Sequence, residues 1–158
     1  MQFLLFALFA AGIVAADQIT KFLTVANIGL HVDKPFIPNF LSLTYEQNRG
    51  AAFSSFEGMQ WLFALVFLLL TAGMIWEFKD KKLPFTPLER WCVLSIWAGG
   101  LGNMIDRVRL GYVVDMIEVE FIRFPVFNVA DCFITCGCIL LIAHLVLFNR
   151  EFWKEEKS

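Results

Sequence analysis

Two aspartates, Asp115 and Asp131, stand beside long apolar segments of the sequence. A charged group within hydrocarbon costs about 2.5–3.5 kcal/mol on insertion scales, so a carboxylate that remains there is a candidate for function by default. Asp115 has apolar neighbours on both sides, which predicts a pKa raised by desolvation. Asp131 follows Asn128 at capping distance, and the dipole of a helix beginning there would keep the Asp131 carboxylate ionised. Two carboxyl groups in such contrasting settings can act as the acid and the base of a hydrolytic reaction.

The same residues also have ordinary structural explanations. Asn128 with Asp131 three positions later is a good helix start in any protein. One face of a preceding helix carries three residues spaced four apart: Gly99, Asn103 and Arg107. The glycines of this helix can be explained by close helix packing, and Asp106 with Arg107 by a solvated ion pair at a membrane interface. Spacing alone therefore leaves both the catalytic and the structural explanations open.

The composition places these residues in a membrane protein. Of 158 residues, 58% are hydrophobic and only 18% are charged, against roughly 45–50% and about 25% in soluble domains. Eighteen Phe and five Trp side chains are more bulk than a soluble chain of this length buries easily. The net charge of −2 and the lack of a basic stripe argue against a nucleic-acid partner. The four cysteines have no matching His or second Cys pair at zinc-site spacing, so we expect neither a metal nor a cofactor.

Hydrophobic runs predict one membrane-embedded domain over residues 1–158, mainly α, with four transmembrane helices and a small surface β-sheet. The helices are predicted at about 1–23, 59–76, 88–107 and 128–148, each near the 20 residues that cross a bilayer. The first run resembles a secretory signal, but it lacks a basic start and continues for a full span. Residues 24–58, and 117–127 around Pro125, are too polar or too interrupted to span and are predicted to form the sheet.

Basic residues favour one orientation of this bundle. Four spans put both termini on the same side. Lysines and arginines crowd the second loop and the C-terminal tail: Lys79, Lys81, Lys82, Arg90, Arg150, Lys154 and Lys157. By the positive-inside rule both termini are expected in the cytoplasm, with the two aspartates at the outer face.

Five short blocks, taken together, resemble the prolipoprotein signal peptidases, the type II signal peptidases of bacteria. They are DQITK at 17–21, NRGAAFS at 48–54, GGLGNMIDR at 99–107, GYVVDMI at 111–117 and FNVAD at 127–131. Each block is weak alone, but all five occur in the order of the family and cover most of the chain outside the spans.

The resemblance implies an aspartyl endopeptidase of the bacterial inner membrane with a β-cradle on the extracytoplasmic surface. It implies that Asp115 and Asp131 are the catalytic pair. Supporting or substrate-binding roles are implied for the residues that match the family motifs, namely Asp17, Lys21, Asn48, Gly99, Asn103, Arg107 and Asn128. The implied substrate is a diacylglyceryl-modified prolipoprotein, cut just before its lipidated cysteine. The implied enzyme works in membrane lipid, without a cofactor, and we expect it to be a monomer.

Three other functions would also keep polar residues in a membrane. A small coupled transporter would place its acids near mid-helix and often in internal repeats, whereas these acids are predicted at helix ends and no repeat is evident. An assembly factor would explain the glycine-rich helix but not two acids flanked by asparagines. A lipid phosphoryl-transfer enzyme would need a metal cluster or a histidine nucleophile motif.

Overall fold

The computed structural model describes residues 2–50, 59–80 and 83–154, in which four long helices carry a small antiparallel sheet. In chain order the elements are α1 (Gln2–Asn27), β1 (Lys34–Ile37), β2 (Leu41–Asn48), α2 (Gln60–Asp80), α3 (Pro87–Leu110), β3 (Val113–Val119), α4 (Val129–Leu147) and a 3-10 turn (Arg150–Trp153). The predicted fold class, a mainly helical membrane protein with a small sheet, is confirmed. Residues 51–58 of the predicted β region lie outside the described part.

Three of the helices, α1, α2 and α4, are long and apolar enough to cross a membrane. The fourth helix, α3, is less apolar than these three. Its 24 residues nevertheless extend about 36 Å, which exceeds the thickness of the hydrocarbon core of a bilayer. It packs against all three others. Its polar side chains Glu89, Ser95, Asn103 and Asp106 are buried there. The most polar helix is therefore the centre of the bundle, where its polar groups find partners away from lipid.

Local chemistry explains where α3 begins and ends. Thr86 caps the helix, with Pro87 in the first turn and Glu89 completing a capping box. The helix continues to Leu110, beyond the predicted end at 107. It stops there because Gly111 adopts φ 79°, a left-handed C-cap conformation that glycine reaches without strain.

The sheet has the order β1-β2-β3, and both strand pairs are antiparallel. The expectation of a strand within residues 117–127 is wrong for most of that segment, because β3 occupies Val113–Val119. Beyond β3, Phe127 returns to pair with Ile117 as an isolated bridge. β-branched Val113 and Val114 favour the strand, whereas Pro125 has no N–H to donate to a ladder. Asp115 is thus a strand residue and not, as predicted, a residue at a helix end.

The contact between α3 and α4 depends on a glycine. A Cβ atom on Gly99 would lie 2.6 Å from the carbonyl oxygen of Ala130 and 2.8 Å from Ile134. The structure therefore places Gly99 in helix packing, as the alternative explanation had it, and not at a substrate surface. Gly102 serves the same purpose beside Asp17.

We expect Gly99→Ala to lower the stability of the folded protein by about 1–3 kcal/mol, because the backbone of α4 must move to accept the methyl group. Gly73 on α2 is a matched control, since a Cβ there meets nothing within 4 Å. Gly73→Ala should leave stability unchanged or raise it by up to about 1 kcal/mol. Thermal unfolding of both variants in the same detergent measures the difference, and equal melting temperatures would contradict the packing role.

Candidate active site

Asp115 is held by two asparagines from different parts of the chain. It lies on β3, opposite Glu46 of β2, and is only 3% exposed. Its Oδ1 accepts a hydrogen bond of 2.6 Å from Asn128 Nδ2, and its Oδ2 accepts one of 2.8 Å from Asn48 Nδ2. Asn48 ends β2, and its own Oδ1 accepts from the N–H of Gly50. Both carboxyl oxygens of Asp115 are therefore fixed in place.

Asp131 lies in the first turn of α4, where Asn128 is the N-cap. Its Oδ2 accepts from the N–H of Asn128 at 3.2 Å, while its own N–H donates to Asn128 Oδ1 at 3.0 Å. Its Oδ1 accepts from Asn103 Nδ2 of α3 at 2.8 Å. The capping box predicted from sequence is present, and the same bonds orient the carboxylate.

Asn128 joins the two aspartates. It is fully buried, and its amide NH₂ donates one bond to Asp115 and another, of 3.1 Å, to Asn103 Oδ1. Asn103 in turn donates to Asp131. One asparagine thus caps the helix that carries Asp131 and also binds Asp115. Asn128 is therefore the predicted N-cap and, at the same time, a hydrogen-bond partner of Asp115.

Below the asparagines lies Lys21, which is 3% exposed and has all three of its donors occupied. Its Nζ lies 2.9 Å from Asp17 Oδ2, 3.1 Å from Asp106 Oδ2 and 2.9 Å from Asn103 Oδ1. Asp17 and Lys21 are one helical turn apart, as the sequence predicted. Asp106 is buried in this cluster, so the alternative explanation by a solvated Asp106–Arg107 pair is wrong.

Each carboxylate of this cluster also fastens the backbone beside one candidate acid. Asp17 Oδ1 accepts from the N–H of Ala130, next to Asp131, at 3.0 Å. Asp106 Oδ2 accepts from the N–H of Val114, next to Asp115, at 3.1 Å. Gln18, which is marked in the sequence only as part of the block at 17–21, bridges the two carboxylates through its side-chain amide. The cluster therefore sets the relative position of α4 and β3.

Arg107 approaches the same site from the outer end of α3. Its Nη2 donates to the carbonyl oxygen of Gly50 at 3.1 Å, and its guanidinium carbon lies 4.2 Å from the centre of the Phe63 ring. Such a cation–π contact, together with the bond to the carbonyl, fixes the plane of the guanidinium. Phe63, on α2, had no signal in the sequence, since it stands within an apolar run.

Both aspartates open onto one cavity of about 530 Å³. The polar side of its wall consists of the acids with Asn48, Asn103 and Arg107. The other side is apolar and comes from Phe63, residues 124–127 and the start of α4. Gly99 is not among the lining residues. The cavity can therefore hold a peptide at its polar side and hydrocarbon at its apolar side.

Burial raises the pKa of Asp115 from 3.8 to about 6, with desolvation the largest cause. The bonds from Asn48 and Asn128 oppose the shift, and the charge of Asp131 adds to it. The predicted effect of an apolar setting on Asp115 is thus present. A carboxyl that titrates near neutral pH can exchange a proton during a reaction.

This shift has a consequence for stability. Between pH 3.8 and about 6, folded Asp115 keeps a proton that the unfolded chain has lost. Stability therefore decreases as the pH rises through that window, by up to about 3 kcal/mol in total. We expect the melting temperature of the wild type, measured relative to that of Asp115→Asn, to fall between pH 4 and pH 7. If the melting temperature of the wild type relative to that of Asp115→Asn stays constant or rises with pH, the desolvated state of Asp115 is contradicted.

No group of three or more His, Cys, Asp or Glu side chains within residues 2–50, 59–80 and 83–154 is arranged to hold a metal ion. The two histidines lie apart, His31 beside Glu46 of the sheet and His144 beside Glu89 near the start of α3.

Apolar helices, a surface sheet and two carboxyls that converge on one cavity define a class of protein, the membrane-embedded aspartic proteases. Comparison with known proteins then gives the family. The family model described as signal peptidase (SPase) II matches residues 9–147. A lipoprotein signal peptidase of Streptococcus pyogenes serotype M5 (strain Manfredo) is 44% identical over 155 residues, covering 96% of this chain and 95% of that protein. Another from serotype M3 (strain SSI-1) is 43% identical with the same coverage.

Two solved structures, both described as bacterial membrane enzymes, have the same fold. One, at 2.3 Å, has a TM-score of 0.85 and 32% identity and covers 97% of this chain and 93% of its own. The other, at 1.9 Å, has a TM-score of 0.81 and 32% identity, with coverage of 91% and 94%. The chain belongs to the signal peptidase II family, as its five sequence blocks predicted, and is an aspartic peptidase of a bacterial membrane.

Proposed function

We propose that this protein removes the signal peptide from diacylglyceryl-modified prolipoproteins by hydrolysing the peptide bond just before the lipidated cysteine. The observation that carries the proposal is the binding of both Asp115 and Asp131 to Asn128 at the wall of a cavity that is polar on one side and apolar on the other. A substrate with a peptide bond next to a lipid needs both sides of such a cavity. The names of the relatives agree with this reaction.

In the proposed reaction the two carboxyl groups share one proton. The ionised carboxyl takes a proton from a water molecule, whose oxygen attacks the scissile carbonyl, while the protonated carboxyl polarises the carbonyl oxygen. Collapse of the tetrahedral intermediate passes a proton to the departing amine of the lipidated cysteine. The proton belongs to the pair, since two interacting acids titrate as one system.

The supporting residues have distinct parts in this proposal. Asn48, Asn103 and Asn128 hold the oxygens of the acids, and Lys21 with Asp17 holds the backbone beside them. Arg107 lines the cavity with its guanidinium fixed, so we expect it to position a carbonyl group of the substrate. Gly99 contributes only the close approach of α3 and α4.

We further propose that both termini lie in the cytoplasm, that the site opens at the extracytoplasmic face, and that the enzyme acts as a monomer. The basic residues of the second loop and the tail support the orientation. All the residues that line the cavity come from one chain, which supports the proposal of a monomer. Reporter fusions to the C-terminus that are active on one side of the membrane only, and light scattering in detergent, test the two statements.

The function is tested by cleavage of a diacylglyceryl-modified precursor in detergent micelles, beside the same precursor without lipid. We expect the wild type to cut only the lipidated precursor, at the bond before the cysteine, as read by mass spectrometry of both products. Cleavage of both precursors at equal rates would contradict lipid recognition. A well-folded wild type that cuts neither would contradict the proposed function.

A further inference from the structure

We infer that a groove between α2 and α3, next to the catalytic cavity, holds one acyl chain of the lipidated substrate and so sets the depth at which the scissile bond stands. This inference rests on the proposed function. The groove encloses about 440 Å³. Apart from Asn103 and Arg107 at its upper end, its walls are apolar.

The groove is continuous with the catalytic cavity. Phe63, Asn103 and Arg107 line both spaces, so the guanidinium of Arg107 on the Phe63 ring forms the boundary between them. A molecule whose polar end lies at Asp115 and Asp131 can therefore extend an apolar tail past this boundary. The chemistry of the walls changes at that point from polar to hydrocarbon-like.

The groove follows α3 from Arg107 down to Ile96, eleven residues or about 16 Å of helix. It therefore leads from the boundary with the catalytic cavity along an apolar wall. The hydrocarbon part of a substrate whose peptide bond lies in the catalytic cavity can lie along this wall.

Gly100 of α3 and Phe67 of α2 both line the groove and are in direct contact, since a Cβ atom on Gly100 would lie 3.2 Å from the Phe67 ring. Ile96 and Ile134 complete the apolar wall. Because lipid tails are as apolar as these walls, the chain gains little affinity by leaving the bilayer. The benefit is positional, since a misplacement of the reacting groups by 1 Å can cost about a hundredfold in rate.

A bulky side chain that fills the lower end of the groove tests the inference. Leu70 lines the groove about 10 Å below Phe63 on α2, and its neighbour Leu69 is 64% exposed and is not a lining residue. We compare Leu70→Trp with the control Leu69→Trp on precursors that carry either two 8-carbon or two 16-carbon acyl chains. We expect Leu70→Trp to lower kcat/KM about tenfold for the long chains and less than twofold for the short ones. Leu69→Trp should behave as the wild type on both.

The outcomes separate the groove from the function itself. If the wild type cuts neither precursor, the proposed function fails and the inference fails with it. If the wild type cuts both and Leu70→Trp affects both equally or not at all, the function stands and the groove is not the acyl site.

A second measurement does not depend on the folding of the Leu70→Trp variant. A precursor with a photoactivatable group at the end of one 16-carbon chain is bound to Asp115→Asn, which holds it uncut. Crosslinks at Leu70, Ile96 or Gly100 support the inference. Crosslinks confined to the lipid-facing residues Leu69 of α2 and Ile139 of α4, or an even distribution over all helices, would overturn it.

Discussion

Asp115→Asn and Asp131→Asn should each lower the rate of precursor cleavage by at least about 10⁴-fold. An amide cannot take up the proton of the attacking water or supply one to the carbonyl oxygen, so either change removes half of the pair. The two losses should not add in the double variant, because the carboxyls act as one unit. Both variants should remain folded with a somewhat lower melting temperature, since an asparagine nearly matches the shape of the aspartate but turns one of its two hydrogen-bond acceptors into a donor.

The matched control is Glu118→Gln on the same strand as Asp115. Glu118 is half-buried and accepts a hydrogen bond from Ser42, but it lies outside the cavity lining. We expect its cleavage rate to stay within a few-fold of wild type. The thermal melting of all variants in detergent is measured beside the rate. Substantial cleavage by a well-folded Asp115→Asn or Asp131→Asn protein would refute the assignment of the pair.

Lys21→Met should have the largest effect on stability. It removes the only cation that contacts Asp17 and Asp106 within the described part of the chain. Two buried carboxylates then remain without a positive charge beside them. Breaking a buried ion pair from one side costs about 3–5 kcal/mol. For a chain of this size that is a fall in melting temperature of about 6–20 °C. Activity should fall as well, because the cluster fastens the backbone beside both of the proposed catalytic aspartates.

Adding Asp17→Asn to Lys21→Met separates charge from packing. The cluster of Lys21, Asp17 and Asp106 carries a net charge of −1, which becomes −2 in the single variant and −1 again in the double variant. The amide introduced by Asp17→Asn can still accept from the N–H of Ala130 through its carbonyl oxygen. The double variant should therefore recover part of the lost stability. Lys34→Met removes only an exposed hydrogen bond to the carbonyl of Asn27, so it should lower the melting temperature far less than Lys21→Met.

The sequence by itself determined the features that depend on neighbours in the chain. The capping boxes at Thr86 and Asn128 were predicted because a cap needs only its own first turn. The apolar runs predicted the helices because a bilayer demands about 20 apolar residues whatever the fold. Five motifs in order predicted the family and, with it, the two aspartates.

Only the tertiary structure decided what depends on residues far apart in the chain. Asp115 lies on a strand because β2, which is far away in the sequence, and the returning Phe127 supply the hydrogen bonds that residues 113–119 need. Asp106 is a buried partner of Lys21 because α1 packs against α3, which removes its carboxylate from water. Gly99 is a packing residue because the carbonyl of Ala130 occupies the space beside it. Phe63 lies at the site only because α2 brings its ring over Arg107. An apolar run in the sequence does not predict such a contact.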